Sequence, residues 1–269
     1  MRIIFIGDIC GRSGREALEK HIPTLKETLA PDVLIVNGEN AAHGLGITPD
    51  MCKKFFEWGV DCITTGNHVW DKREIIPYIQ SEKRLIRPAN FPSGAYGNGT
   101  YELQIADGRK ILIANMMTRL FMDPLDCPFQ AAEKMLGQYR LGQNVHAIFV
   151  DLHGEATSEK MAFSHLCDGR VSGVVGTHTH IPTADYHVME HGTAYMSDAG
   201  MSGDYNSVIG VEKNVPVHTF SKKTPAAKKQ PAKGEATLCG VCIDLHDNGL
   251  AKNIQPIRMG GILSQTMPE

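Results

Sequence analysis

The chain's 269 residues, 42% of them hydrophobic and 21% charged, suit one α/β domain with a sizeable core over residues 1–269 better than two full domains. A formal net charge of −3 excludes bulk attraction to a polyanion, so no stable nucleic-acid complex is expected. No apolar run reaches the ~18 residues of a membrane span, the run from Ile3 to Ile6 falls short of the ~7–15 of a signal core, and seven scattered cysteines fit reduced thiols, which together predict a soluble cytoplasmic protein.

Short apolar runs alternate with longer amphipathic ones. Residues 2–6 read as a buried strand. Ser13 with Glu16 three residues later has the form of a capping box, which opens a helix to about residue 29. A strand at 33–36, a helix at 48–58 and a strand at 62–65 follow, then a helix at 71–80. Two alternating segments, 101–105 and 110–115, flank Asp107-Gly108, a hairpin signal. Next come a helix at 128–139, a strand at 147–151, a helix at 158–166 and a strand at 171–175. From residue 183 the pattern turns to short strands and turns. A βαβ-like first half and a β-rich second half predict two packed sheets with helices outside. Residues 221–233 hold five lysines, two prolines and no acid. This composition predicts an exposed basic loop; a sharper reading is a flap that meets an anionic substrate.

Metal-competent side chains recur just after apolar strands, where an α/β sheet normally opens its site. Asp8 follows the first strand, and a carboxylate there is costly unless paired or bound to a cation. Glu39 and Asn40 follow the second, in Asn37-Gly38-Glu39-Asn40. Two carboxylate oxygens let Glu39 bridge two cations, and Asn40 offers a neutral carbonyl oxygen. Thr65-Gly66-Asn67-His68 follows the third, with Asn67 a candidate ligand and His68 free as a proton donor. His153 follows the strand at 147–151, and His178 and His180 follow the strand at 171–175. A lone histidine is most often a satisfied core residue. Three in the same strand-end context argue for chemistry.

In this order the segments resemble the calcineurin-like metallophosphoesterase superfamily, and more closely its YmdB-like branch of bacterial 2′,3′-cyclic-nucleotide phosphodiesterases. The resemblance runs over nearly the whole chain, including Asp198-Ala-Gly-Met201 and Gly234-Glu-Ala-Thr237. Two departures from the wider superfamily narrow it. Asp8-Ile9-Cys10 stands where that group has Asp-x-His, and Gly38-Glu39-Asn40 where it has Gly-Asp, so Asn40 fills the place of the lost histidine. The resemblance implies a metallophosphoesterase-type α/β fold, an α/β/β/α sandwich of two mixed sheets with a small cap-like loop region. It implies one metal held by Asp8, Asn40, His180 and bridging Glu39. A second would be held by Asn67, His153, His178 and the same Glu39. Mixed nitrogen and oxygen donors suit iron, manganese or zinc over magnesium or calcium, and the branch points to iron or manganese. Two such cations clamp an in-line displacement by a bridging hydroxide, with His68 protonating the leaving oxygen. The implied partner is a small phosphodiester, a 2′,3′- or 3′,5′-cyclic nucleotide; a homo-oligomer is left open.

Other readings stay beside this one. A phosphomonoesterase or nuclease fits the same fold, and a regulatory nucleotide sensor fits the same site. Gly7, Gly11 and Gly14 depart from dinucleotide-binding spacing, and Asp8 would face the pyrophosphate with like charge. The helix start near Ser13 and Gly14, with Arg12, is a candidate phosphate contact, and Arg15 is read as surface charge. Cys10 is a minor alternative ligand. Cys239 and Cys242 lie three apart in an alternating run, on opposite faces of a strand, and are read as core thiols. His187, His191, His218 and His246 lack the strand-end context and are read as structural or surface.

Overall fold

In the computed structural model, which describes residues 1–268, eleven strands form two mixed sheets. Glu269, the last residue of the expected 1–269 unit, lies outside the described residues. The first sheet joins β1 (Arg2–Ile6), β2 (Val33–Asn37) and β3 (Cys62–Thr64) in parallel. Its other side is antiparallel, with β10 (Leu238–Leu245) against β1 and β11 (Ala251–Met259) against β10. The second sheet runs β4 (Thr100–Gln104), β5 (Lys110–Met117), β6 (Ala147–His153), β7 (Gly173–Thr177), β9 (Ala194–Met196) and β8 (His187–Val188). Its four inner strands are parallel and both edge strands antiparallel.

Alternation along the strands builds four layers. Ile3 and Phe5 of β1 point between the sheets and meet Ile113, Phe149 and Val175 of the second sheet. Ile4 and Ile6 point outward, into a cluster with Leu18, Leu25, Phe55, Ile75 and Ile79. Those last residues belong to the helices α1 (Gly11–Leu29), α2 (Pro49–Glu57) and α3 (Ile75–Ser81). Leu112, Ile148, Val150 and Val174 form the opposite outer face, covered by Met135 of α4 (Pro128–Gln138) and Phe163 of α5 (Thr157–Cys167). Strands buried on both faces read as continuous apolar runs, as these do. The expected α/β/β/α sandwich is what the chain forms.

Several local expectations need correction. The capping box is absent: α1 starts at Gly11, Cys10 caps it without a side-chain bond, Ser13 Oγ donates to Ala232 O and Glu16 pairs with Arg12. The helix expected from 71 begins only at Ile75. Strand β6 runs on through His153, because its parallel register continues to Met117 and Thr177 on either side. The turn-rich stretch after 183 hides α6 (Asn214–Lys222), whose last residues open the basic segment. That segment is exposed to Gln230, but Ala232 is buried, so the loop is tied down at its far end. Cys239 and Cys242 are buried thiols on β10, as expected. No helix among the described residues is long and apolar enough to cross a membrane.

Candidate metal centre

Every expected ligand emerges at the C-terminal ends of parallel strands. Asp8 follows β1, Glu39 and Asn40 follow β2, and Asn67 follows β3; His153 ends β6, and His178 and His180 follow β7. The two sheets bring these ends together across their interface. Glu39, His153 and His178 converge, with one ligand atom from each within 4.8 Å of the others, and so do Asp8, Glu39 and His180. Glu39 is common to both groups. His153 Nε2 lies 3.2 Å from Glu39 Oε2 and 3.1 Å from His178 Nδ1. The asparagines fall on the expected sides: Asn67 Oδ1 is 2.9 Å from His153 Nε2, and Asn40 Nδ2 is 3.0 Å from His180 Nε2. A half-turn of the Asn40 amide, which keeps its shape, would present Oδ1 instead.

Gly66 makes the convergence sterically feasible. A Cβ there would sit 2.3 Å from Glu39 Oε2 and 2.4 Å from His153 Nε2. The backbone between Thr65 and Asn67 therefore passes against the two side chains that a larger residue would push apart.

Each imidazole has its other nitrogen held. His153 Nδ1 donates to Thr177 Oγ1 at 2.9 Å, whose hydroxyl donates to Asp151 Oδ1 at 2.7 Å. His178 Nε2 is 3.2 Å from Glu155 Oε2, and His180 Nδ1 is 2.8 Å from the Ile209 carbonyl. Such partners fix the ring orientation and leave the opposite lone pair facing the cluster. Asp151 also accepts from Asn37 Nδ2 and Thr64 Oγ1, while Asn37 Oδ1 accepts from Glu39 N–H. One buried carboxylate thus ties β2, β3, β6 and β7 together beneath the cluster.

The electrostatics point to a missing countercharge. Burial, and then the charge of Asp198, pushes Asp8 up to about 7 against the pull of the His178 N–H. Burial and neighbouring Asp8 hold Glu39 well above the usual carboxylate range. Burial, with His178, holds His153 well below the usual imidazole range, and burial, with His180, lowers His178 to about 4. Burial also lowers His180. Neutral imidazoles with free lone pairs therefore surround two carboxylates that crowd each other. Asp8 Oδ1 is fully buried and has no hydrogen-bond partner. A buried acceptor with no donor is expensive, and a cation satisfies it. The donor set fits two transition-metal ions.

His68 stands outside the cluster, half-buried, with its N–H 3.3 Å from Glu39 Oε2 and its Nδ1 2.8 Å from Asp71 Oδ2. It lines a cleft of about 480 Å³ together with Glu39, Asn40, His178 and His180. Ile209 to Val211 and Lys229 to Pro231 also line it. Cys10 also faces the cleft, but burial raises its thiol to about 12, which leaves it a neutral wall residue. Arg12 and Arg15 are not among the lining residues of this cleft. Arg12 pairs with Glu16 at the surface; Arg15, read from sequence as surface charge, is half-buried and donates to the Ala41 carbonyl. Ser13 and Gly14 are covered by Ala232 and Ser202, so this helix start is not open to a phosphate. His187, His191, His218 and His246 are exposed and remote from the cluster residues, as expected.

A family model described as YmdB-like protein matches residues 4–257. The chain belongs to the YmdB-like protein family. A relative from Bacillus subtilis (strain 168), named 2′,3′-cyclic-nucleotide 2′-phosphodiesterase, is 42% identical over 92% of this chain and 92% of its own. A crystal structure of a hypothetical protein from Thermus thermophilus superposes with a TM-score of 0.90 at 37% identity, covering 97% of this chain and 100% of that one. A structure described as a novel phosphatase from Mycoplasma pneumoniae gives 0.89 at 31% identity over 97% and 93%. The YmdB-like fold is thus the metallophosphoesterase-type sandwich.

Several residues that serve this YmdB-like site escape sequence reasoning. Asn37, just past the expected strand at 33–36, and Asp151, at the end of the one at 147–151, carried a signal as polar residues next to apolar runs. Asp71 and Glu155 carried no signal, since nothing in a sequence separates them from other exposed acids. Thr64 read as an ordinary strand residue, and Thr177 lay just past the expected strand at 171–175.

Proposed function

We propose that the chain is a metal-dependent phosphodiesterase that hydrolyses cyclic nucleotides, with 2′,3′-cyclic nucleotides as its substrate class. The observation that carries this reading is the pair of three-residue clusters sharing Glu39, with His68 beside them in one open cleft. The name of the 42% identical relative supports the choice of substrate. Residues 1–269 are taken as one such domain, since side chains of both sheets meet in one core.

Asp8, Asn40, His180 and Glu39 would hold one metal, and Asn67, His153, His178 and Glu39 the other. Iron or manganese suits these donors, with zinc the runner-up. Bound cations supply charge neutralisation at the phosphate and acidify water to near neutral pH. The remaining work falls to the chain. His68 gives a proton to the leaving 2′ oxygen as its bond to phosphorus breaks, so that the products are a ribose hydroxyl and a 3′-phosphomonoester. Asp71 orients that imidazole through Nδ1 and leaves Nε2 for the leaving group. Thr177, Glu155 and the Ile209 carbonyl hold the outer nitrogens of His153, His178 and His180 and keep the rings pointed inward.

The test is metal analysis of purified protein with a panel of 2′,3′- and 3′,5′-cyclic nucleotides. Metal-dependent turnover of the 2′,3′ class is expected. Tight nucleotide binding without turnover by metal-loaded protein would instead support a sensor, and turnover of monoesters alone would support a phosphomonoesterase.

A further inference from the structure

Beyond the ligands and the supports of their rings lies a buried ion pair. Lys160, on α5, is 1% exposed, as is Asp198, just past the end of β9. A lysine is almost never buried without partners, and this one uses all three donors. Its Nζ donates to Thr177 O at 2.8 Å, to Ser197 O at 2.9 Å and to Asp198 Oδ2 at 3.1 Å. The first two acceptors end β7 and follow β9, the neighbouring parallel strands whose pairing stops at Val175 and Met196. Lys160 therefore sits where the two strands part. Gly176 lets it do so, because a Cβ there would come 1.7 Å from Ser197 O and 3.0 Å from the Lys160 stem.

Asp198 turns this charge toward the loop. The same Oδ2 accepts from Thr179 N–H at 3.0 Å and from Thr179 Oγ1 at 2.8 Å, while Oδ1 accepts from Gly200 N–H at 2.9 Å. Thr179 lies between the two candidate ligands of the loop. His178 and His180 have φ values of 101° and 68°, in the left-handed region that non-glycine residues rarely adopt. A loop with two such residues relaxes unless its surroundings hold it. His178 N–H is held by Asp8 and the His180 carbonyl by Tyr205 and Met201; the grip on the residue between them, Thr179, comes from Asp198, and the two rings reach different half-sites.

We infer that Lys160 and Asp198 are positioning residues: the buried pair grips Thr179 and thereby sets His178 and His180 toward both metal sites at once. This rests on the metal-centre reading above.

Lys160→Met strands a buried carboxylate, so Thr179→Val is the deciding variant; it removes one grip and leaves the ion pair intact. Chelated parent and variants are titrated with manganese(II), bound metal per chain is counted, and metal-free unfolding temperatures are recorded. For Thr179→Val, a loss of affinity of about 10–100-fold at both sites is expected, with metal-free unfolding unchanged; Lys160→Met should show at least that loss. Parent-like affinity in Thr179→Val overturns the inference. So does a loss at one site only, or a loss that tracks a fall in metal-free unfolding temperature. A parent that binds no manganese overturns the metal-centre reading itself, and this inference with it.

Discussion

His68 and Asp8 carry the sharpest single-residue expectations. His68→Ala should keep both metals and lose about 10²–10⁴-fold in kcat, read by steady-state kinetics beside metal analysis; an unchanged kcat removes His68 from the chemistry. Asp8 and Glu39 together set the acid limit of metal binding. A carboxyl binds a cation only when deprotonated. Burial holds Asp8 at about 7 in the metal-free protein, whereas His178 lies near 4 and is already neutral there. Burial likewise keeps the shared Glu39 well above the usual carboxylate range, so manganese affinity should climb with pH across titrations from pH 5.5 to 8. A flat profile over that range contradicts the assignment. The residues that converge in the two clusters were legible as candidates because each follows an apolar run, where a polar side chain needs a reason. The acids that orient the rings were not, since Glu155 and Asp71 reach their histidines only after the loops fold.

Elements with strong apolar periodicity were legible to within a few residues, and the failures have identifiable causes. The capping box at Ser13 lost to a tertiary contact, because the hydroxyl serves the Ala232 carbonyl. Thr48, by contrast, caps α2: its Oγ1 accepts from Met51 N–H. Thr48→Ala should cost about 1 kcal/mol of stability, measured by denaturant unfolding, without touching metal content. Helix α6 was hidden for another reason. It buries only Pro216, and leaves Val217 58% and Phe220 69% exposed, so no apolar stripe faces a core. Its proline sits in the first turn, where the missing N–H does no harm, yet in sequence it reads as a break. Strand β6 outran its expected end because pairing with β5 and β7 carries the buried, polar His153 into the sheet.

At the scale of the whole molecule, the layer order was legible and the junction between the sheets was not. Binary pattern marks a strand as buried on both faces but does not say which strand of the other sheet it meets. Phe5 and Phe149 meet across that junction with ring centroids 5.0 Å apart. Phe149→Ala should cost roughly 3–5 kcal/mol, and by loosening the junction should weaken metal binding as well; an undiminished unfolding free energy would argue against this contact. Because each proposed half-site draws its candidate ligands from both sheets, bound metal would also brace the junction. At 100-fold excess over its Kd a ligand adds about 2.7 kcal/mol, so chelation should lower the unfolding temperature by roughly 5–10 °C, seen by calorimetry. The central place of β1, between β2 and β10, has a consequence for synthesis. Asp8 leaves the ribosome early, His178 follows 170 residues later, and the strand that closes the first sheet on its other side is not made until residues 238–245. A growing chain carries the acids of the site long before it can arm them, and the first sheet that positions them is not paired on both sides of β1 until residues 238–245 are made.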